Sequence, residues 1–157
     1  MRRFMMLLAI FLAIPTLGAA QSLEGVWMGA GIRVIGGPDD GRATTITQPR
    51  LLIYTDAFFM WAFDMSEDGR ALLPPLDQTS DAQIGAVARE YNSVAGTYIR
   101  EGATLTYNRL VALAPNAMAP ENQPLVREIR MLTANRLQTQ ITNEDGVTLV
   151  LTYRRLE

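Results

Sequence analysis

Apolar and polar side chains alternate along most of the sequence from Gly25 onward. In the last such run, Leu149, Leu151 and Tyr153 occupy every second position, which places them on one face of an extended strand. Short runs of this kind recur between turn residues, and the pattern is typical of an all-β sandwich or barrel. The strands predicted in this way are residues 25–35, 43–48, 50–54, 58–63, 95–100, 104–112, 125–132, 136–142 and 147–155.

One segment has a helical period instead. Residues 80–94 carry apolar side chains at spacings of three and four, which places them on one face of a helix. Ser80 followed by Gln83 has the sequence of a capping box, so we expect the helix to begin there. The apolar residues of the predicted face are Ile84, Val87, Ala88 and Tyr91.

The predicted strand 58–63 is apolar on both faces, unlike the other strands. We expect one face to pack under the helix and the other to line the interior of a barrel. The two sets are Phe58, Met60, Ala62 and Phe59, Trp61, Phe63.

The first twenty residues have the pattern of a secretory signal peptide. Arg2 and Arg3 precede the apolar stretch 4–14, and small residues before and at Ala20 form a cleavage region. A stretch of this length is too short for a transmembrane helix, which needs about 20 apolar residues. We therefore predict cleavage after Ala20, a periplasmic or secreted location, and a mature single domain of residues 21–157. No later segment is apolar enough to cross a bilayer.

The composition restricts the available chemistry. All 14 basic residues are arginine, and the chain has no Lys, His or Cys. This excludes a His general base, a Cys nucleophile, a Lys Schiff base and metal ligation by His or Cys. We predict no catalytic residue, no metal site and no cofactor. Without Arg2 and Arg3 the mature chain has 12 basic and 16 acidic residues, a net charge of −4, which speaks against nucleic acid as a partner.

Two arginines are candidates for a binding site. Arg109 alternates with Leu105 and Tyr107, and Arg127 alternates with Leu125 and Ile129. An inward guanidinium among apolar neighbours needs a carboxylate partner or an anionic ligand. The alternative is that these charges reach the barrel rim or pair with acidic residues of the protein, without a functional role.

Aromatic residues supply the apolar part of the candidate site. Trp61, Tyr98 and Tyr107 would line a cavity with a few polar groups, which is the usual composition of a small-molecule site. Ordinary core packing is the competing interpretation for each of them.

Several short motifs together resemble the bacterial lipocalin-like domain family. Gly25-Val26-Trp27 resembles the Gly-x-Trp opening of lipocalins, and Tyr153-Arg154-Arg155 resembles their closing strand. The hairpin segments of the likeness are Leu52-Ile53-Tyr54-Thr55, Ala95-Gly96-Thr97-Tyr98 and Thr104-Leu105-Thr106-Tyr107. Where the family often has a histidine, this chain has Thr106-Tyr107-Asn108, so no role of that histidine is transferred.

The resemblance implies a closed antiparallel up-and-down β-barrel of about eight strands, with one short helix. Its interior would hold one small ligand or be filled by side chains. The resemblance also implies that Arg154 or Arg155 lies over Trp27 and seals one end of the barrel, a structural role.

Three functions remain open at this point. The first is binding of a small apolar or amphipathic molecule, which could also carry an anionic group. The residues that would bind it are Trp61, Tyr98, Tyr107, Arg109 and Arg127. The second is a non-catalytic envelope interaction or structural protein with a filled barrel. The third is an isomerase or cyclase that uses Tyr or a carboxylate. The sequence does not indicate an oligomeric state.

Overall fold

A computed structural model describes residues 21–157. The predicted signal peptide lies outside the described residues, so it stays a prediction. The strands are β1 (Gly25–Ile35), β2 (Ala43–Thr45), β3 (Arg50–Tyr54), β4 (Phe58–Asp64), β5 (Tyr91–Glu101), β6 (Thr104–Ala112), β7 (Leu125–Leu132), β8 (Arg136–Thr142) and β9 (Thr148–Arg155). The α-helix α1 (Asp81–Arg89) connects β4 to β5.

The sheet closes on itself. From β3 to β9 each strand pairs antiparallel with the next one along the chain, and β1 pairs with both β3 and β9. This gives a barrel of eight strands, with the short β2 as an addition on β1. The prediction of an all-β fold with a closed antiparallel barrel and one helix is confirmed. Closure leaves few free strand edges for unwanted pairing.

The core fills the barrel interior. Alternate residues of the strands point inward, and the largest fully buried side chains are Trp27, Tyr54, Tyr107, Tyr153, Leu52, Leu105, Leu137 and Thr139. Trp27 lies at the end of the barrel where β1 begins and β9 ends, opposite Arg155 in the register. We call this the closed end, and the end that carries α1 and the long connections the open end.

The helix is shorter than predicted. Ser80 is its N-cap, and the capping box with Gln83 is present as expected. The helix ends at Arg89, however, and Tyr91 begins β5, where it lies opposite Asp64 of β4. Pairing with β4 extends β5 towards its N-terminus, over residues whose apolar spacing also fits a helix. The contacts with β4 therefore override the helical pattern of the local sequence.

The outer face of β4 does not lie under the helix, so that expectation is wrong. Phe58 is 58% exposed and Met60 is 44% exposed. Because only Glu90 separates α1 from β5, the helix stays at the open end of the barrel, where it buries Val87. The inner face of β4 is as expected, since Phe59, Trp61 and Phe63 are buried. Within residues 21–157 no helix is long and apolar enough to span a membrane.

Candidate functional site

An aromatic cluster occupies the middle of the barrel. The Trp61 ring lies 5.1 Å from that of Phe59, 6.1 Å from that of Phe63 and 6.1 Å from that of Tyr107, measured between ring centroids. Tyr54 lies 6.4 Å from Tyr107. The indole N–H of Trp61 donates a hydrogen bond to Asn92 Oδ1 at 3.1 Å, which fixes the orientation of the ring.

Arg127 reaches into this cluster from β7. It lies opposite the fully buried Leu105 in the β6–β7 register, on the same inward face. Its guanidinium carbon is 5.0 Å from the centroid of the Trp61 ring and 5.9 Å from that of Tyr107. These are cation–π distances, so the two rings stabilise the charge from their faces.

Two of the three guanidinium nitrogen atoms of Arg127 lack a hydrogen-bond partner in the described part of the chain. Its Nε and Nη1 atoms are buried and have no hydrogen-bond partner among residues 21–157. Within the same residues the only ion pair joins Arg42 to Asp39, at 3.2 Å on the surface. The charge of Arg127 is therefore inside the barrel without a carboxylate partner.

Two hydroxyl groups in the interior also lack partners. Thr139 is fully buried and Tyr153 is 1% exposed, and neither Thr139 Oγ1 nor Tyr153 Oη has a hydrogen-bond partner in the described part of the chain. Buried polar groups in native proteins are nearly always hydrogen-bonded. Tyr153 lies next to both Arg127 and Thr139, whose proximity acts to lower its pKa against the larger effect of burial, so the three side chains form one polar cluster in the interior.

The interior tyrosines are protonated at neutral pH. Burial raises the pKa of Tyr107 to about 12, although the charge of Arg127 acts in the opposite direction. Burial likewise raises the pKa of Tyr153 and Tyr54, and the Tyr54 and Tyr107 hydroxyls are hydrogen-bonded to each other. These hydroxyls can donate hydrogen bonds, but they are poor general bases.

Arg127 itself stays charged. Burial acts to lower its pKa, but the nearby Tyr153, Tyr107 and Tyr54 outweigh this effect, and the pKa is raised above its ordinary value. An arginine is protonated in proteins at any ordinary pH. The interior therefore carries a permanent positive charge.

Arg109 lies at the open end, not in the aromatic cluster. Its Nη2 donates a hydrogen bond to the carbonyl oxygen of Asn122, and its backbone N–H donates to Gln123 Oε1 at 2.8 Å. The segment between β6 and β7 thus holds Arg109 in place. Desolvation and the neighbouring charge of Arg127 lower the pKa of Arg109.

Tyr98 lies on the opposite side of the cluster, towards the closed end. Its ring is 5.0 Å from that of Tyr54 in an edge-on arrangement, and its hydroxyl donates to the carbonyl oxygen of Thr55 at 2.8 Å. The structure therefore brings Trp61, Tyr107 and Arg127 together, with Tyr98 and Arg109 on either side of them. A ligand role for all five stays a prediction.

Arg155, and not Arg154, lies over Trp27. The guanidinium carbon of Arg155 is 4.1 Å from the centroid of the Trp27 ring, and its Nη2 donates to the carbonyl oxygen of Ser22 at 2.7 Å. Arg154 is exposed on the outer face. This arrangement closes the end of the barrel.

A solved structure shares this fold. A lipocalin-like protein from Bacteroides uniformis matches with a TM-score of 0.51 at 12% sequence identity, over 85% of this chain and 98% of that one. The chain has a lipocalin-like fold. An uncharacterized protein from Bacteroides eggerthii matches with a TM-score of 0.48 at 11% identity, over 85% and 99% of the two chains. No protein-family model matches the sequence, and none of the curated proteins matches it.

The lipocalin-like barrel contains polar interior residues that sequence reasoning missed. Tyr54, Thr139 and Tyr153 contribute the hydroxyl groups around Arg127, and the Nε atom of Arg50, at the open end, is buried without a partner among residues 21–157. Arg50 alternates with the buried Leu52 and Tyr54. This alternation could have identified Arg50 from the sequence, because it places Arg50 on the same face as Leu52 and Tyr54. The same argument places Arg127 on the face of Leu125 and Ile129.

The acidic residues form no comparable site in the lipocalin-like barrel. The part of the chain that the structure describes has no group of three or more His, Cys, Asp or Glu side chains that could hold a metal ion. Asp64, which begins the acidic turn after β4, accepts hydrogen bonds from the backbone and hydroxyl of Ser66, and these lower its pKa. Its role is to order that turn.

Proposed function

We propose that this protein is an exported lipocalin-like barrel that binds a small amphipathic anion. The acid group of the ligand lies against Arg127, and its apolar part contacts the aromatic cluster. One observation carries the proposal: the Nε and Nη1 atoms of Arg127 are buried without a hydrogen-bond partner among residues 21–157.

Physical chemistry supports an anion in this position. A buried ion costs several kcal/mol of desolvation free energy unless a counter-charge and hydrogen bonds compensate it. The cation–π contacts with Trp61 and Tyr107 offset part of this cost. They leave the N–H groups unused, because those groups point along the guanidinium plane. A carboxylate or another oxyanion would supply both the charge and the acceptors.

The neighbouring hydroxyls fit the same ligand. Thr139 Oγ1 and Tyr153 Oη are buried without partners among the described residues. Both can donate to an acid oxygen, and burial keeps Tyr153 in its protonated, donating form. A cationic ligand would meet only the positive charge of Arg127 there, so the site favours anions.

The location in the cell envelope is part of this proposal. The support is the sequence of residues 1–20, with its paired arginines, apolar stretch and small residues before Ala20. Sequencing the N-terminus of the protein isolated from its native cells tests it. A mature chain that begins at Gln21 supports export, and a cytoplasmic chain that retains Met1 contradicts it.

Native mass spectrometry tests the binding proposal without assuming a ligand. The protein would be isolated from its native cell envelope and compared with the Arg127→Met variant prepared in the same way. We expect added mass that is lost on denaturation and that is reduced or absent in the variant. The proposal is contradicted if the wild-type protein has only the mass of its polypeptide chain, or if both proteins carry the same added mass.

A second candidate function is that of an envelope interaction or structural protein with a filled barrel. The observation in its favour is the close packing of the interior. The ring centroids of Phe59 and Tyr107 lie 4.7 Å apart, and Trp61 is 5% exposed. In this case Arg127 has a structural role and the interior takes no ligand. This function predicts that native mass spectrometry of the wild-type protein detects only the mass of the polypeptide chain.

A further inference from the structure

Three arginines lie on one outer surface of the barrel. Arg136 of β8 and Arg154 of β9 are directly opposite each other in the strand register, and Arg33 of β1 is opposite Val150 of β9. Each arginine is exposed and has a neighbour in its own strand that is buried in the interior, so all three point away from the interior. These buried neighbours are Val34, Leu137 and Tyr153.

The charges of these arginines are not compensated within the protein. Among residues 21–157 none of the three forms an ion pair with an acidic side chain, although the chain has more acidic than basic residues. Like charges directly opposite each other on one face of a sheet are destabilising. The pair of Arg136 and Arg154 therefore favours an anion from another molecule.

Two adjoining clefts lie beside the three arginines. The first has a volume of about 420 Å³, and Arg33 and Arg136 are part of its lining. The second has a volume of about 350 Å³, and Arg154 is part of its lining. Ala30 lines both clefts, so they form one groove along β1. We call this the outer groove. In the described part of the chain no Asp or Glu lines either cleft.

The outer groove is long enough for a ligand with several acid groups. Arg33 is opposite Val150, which lies four residues from Arg154 on β9, a separation of about 13 Å along a strand. A single small anion cannot contact both ends. An extended molecule with repeated acid groups can contact the Arg136–Arg154 pair at one end and Arg33 at the other.

Hydroxyl and amide groups line the first cleft between its arginines. Gln138 Nε2 donates a hydrogen bond to Thr152 Oγ1 at 3.1 Å, and this bond uses neither the hydroxyl hydrogen of Thr152 nor Gln138 Oε1. Thr45 is exposed and lines the same cleft from β2. These side chains supply both donors and acceptors, which is what the hydroxyl groups of a sugar require.

Other extended polyanions fit the outer groove less well. Single-stranded nucleic acids bind by stacking their bases on aromatic side chains, and no aromatic residue within 21–157 lines either cleft. An extended peptide that adds to a sheet needs a strand with an unpaired edge. The strands β1 and β9 under the groove are paired on both sides. A glycan needs neither feature.

We propose that the outer groove binds an acidic glycan, a chain of sugars that carry carboxylate groups. Carboxylates contact the Arg136–Arg154 pair and Arg33, because guanidinium groups bind carboxylates with two parallel hydrogen bonds. Sugar hydroxyls contact Thr152 and Gln138. This site lies outside the barrel and does not involve Arg127, so it is independent of the function proposed for the interior.

Calorimetric titration of the mature protein with tetragalacturonate tests this proposal. The fully methyl-esterified tetramer is the matched control, since it has the same sugars without the charges. We expect the acid to bind at least about tenfold more tightly than the ester, and we expect added salt to reduce this difference.

Arginine variants locate the site. The double variant Arg136→Gln and Arg154→Gln should lower the affinity for tetragalacturonate at least about tenfold. Its midpoint of thermal unfolding should be equal to or above that of the wild type, because two opposed like charges are removed. The double variant Arg42→Gln and Arg89→Gln is the control. It changes the net charge equally at two exposed positions outside the groove, and it should bind as the wild type does.

A single variant at the other end of the groove provides a second test. Arg33→Gln removes one exposed charge and should lower the affinity for tetragalacturonate at least about threefold. Arg127→Met should bind tetragalacturonate as the wild type does, since Arg127 lies in the interior.

Several outcomes would overturn the proposal. These are equal binding of the acid and its methyl ester, undiminished binding in both the Arg136/Arg154 double variant and Arg33→Gln, and loss of binding in Arg127→Met. Tighter binding of oligothymidylate or of hexaglutamate than of tetragalacturonate would overturn the assignment to a glycan. Only the Arg127→Met result bears on the interior site, so failure of the outer site leaves the proposed function intact.

Discussion

The guanidinium carbon of Arg127 lies 5.0 Å from the centroid of the Trp61 ring, inside the barrel. A desolvated cation–π contact contributes about 2 kcal/mol, which is less than the cost of burying an unpaired charge. Trp61 therefore orients Arg127 without compensating its charge. The N–H groups remain available for an acid.

Removal of the charge of Arg127 should not destabilise the protein. Arg127→Met keeps much of the side-chain volume and removes the buried charge, so we expect the free energy of unfolding to stay the same or to rise by about 1 kcal/mol. Urea denaturation measures this value. Arg130→Met, at an exposed position of the same strand, is the control and should change little. A fall of more than about 2 kcal/mol for Arg127→Met would show that the arginine has a structural role.

Arg155 and Arg154 should differ in their contributions to stability. Arg155→Ala removes the cation–π contact with Trp27 and the hydrogen bonds to the carbonyl oxygens of Ser22 and Glu24. We expect a loss of about 2 kcal/mol in the free energy of unfolding. Arg154→Ala removes an exposed side chain and should change it by less than about 0.5 kcal/mol. Equal effects in thermal or urea denaturation would contradict the assignment of Arg155 to barrel closure.

Stability should fall at alkaline pH. The pKa of Tyr107 is raised by burial to about 12 from an ordinary value of 10, so the folded protein holds this proton more tightly than the unfolded chain does. The stabilisation is complete below about pH 10 and is lost as the pH rises towards 12. The loss is about 3 kcal/mol.

Urea denaturation at a series of pH values in this range measures the effect. The Tyr107→Phe variant has no such proton, so its stability should fall less steeply with pH than that of the wild type. Identical slopes for the two proteins would be inconsistent with the burial of an ionisable Tyr107.

Replacing Gly96 and Gly85 by alanine should change the stability of the fold in opposite directions. A Cβ on Gly96, at the irregularity in the β5–β6 pairing, would overlap the carbonyl oxygen of Asn108 and lie 3.0 Å from Arg109 Cα. Backbone atoms cannot move away freely, so Gly96→Ala should destabilise the fold by about 3 kcal/mol or more. A Cβ on Gly85, in α1, meets nothing closer than Arg89 Nη1 at 3.7 Å. Gly85→Ala should stabilise by about 0.5–1 kcal/mol. Thermal denaturation checks both signs.

The fold was predictable because its signals are local. Alternation with a period of two is a property of each strand alone, and it was sufficient to group Tyr107 with Leu105 and Arg127 with Ile129 on common faces, but not to say which faces point inward. The end of α1 was not predictable in this way. Tyr91 fits the helical spacing, but its position depends on pairing with Asp64, a residue that is distant in sequence.

The site depends more strongly on contacts between distant segments. Tyr54, Thr139 and Tyr153 come from three strands, and only barrel closure brings their hydroxyls into the interior with Arg127. The position of Arg109 was likewise decided by the segment that contains Asn122. Sequence patterns indicate that a side chain points inward, but they do not say which other side chains it meets there.

The most direct test of the central claim compares acids with their neutral amides. Butyrate, decanoate and 1-naphthoate, each with the corresponding amide, would be titrated into the mature protein and into Arg127→Met. We predict that at least one acid binds the wild type about tenfold or more tightly than its amide, and that Arg127→Met abolishes this preference. Equal binding of every acid and its amide by the wild type, or an undiminished preference in Arg127→Met, would contradict the account.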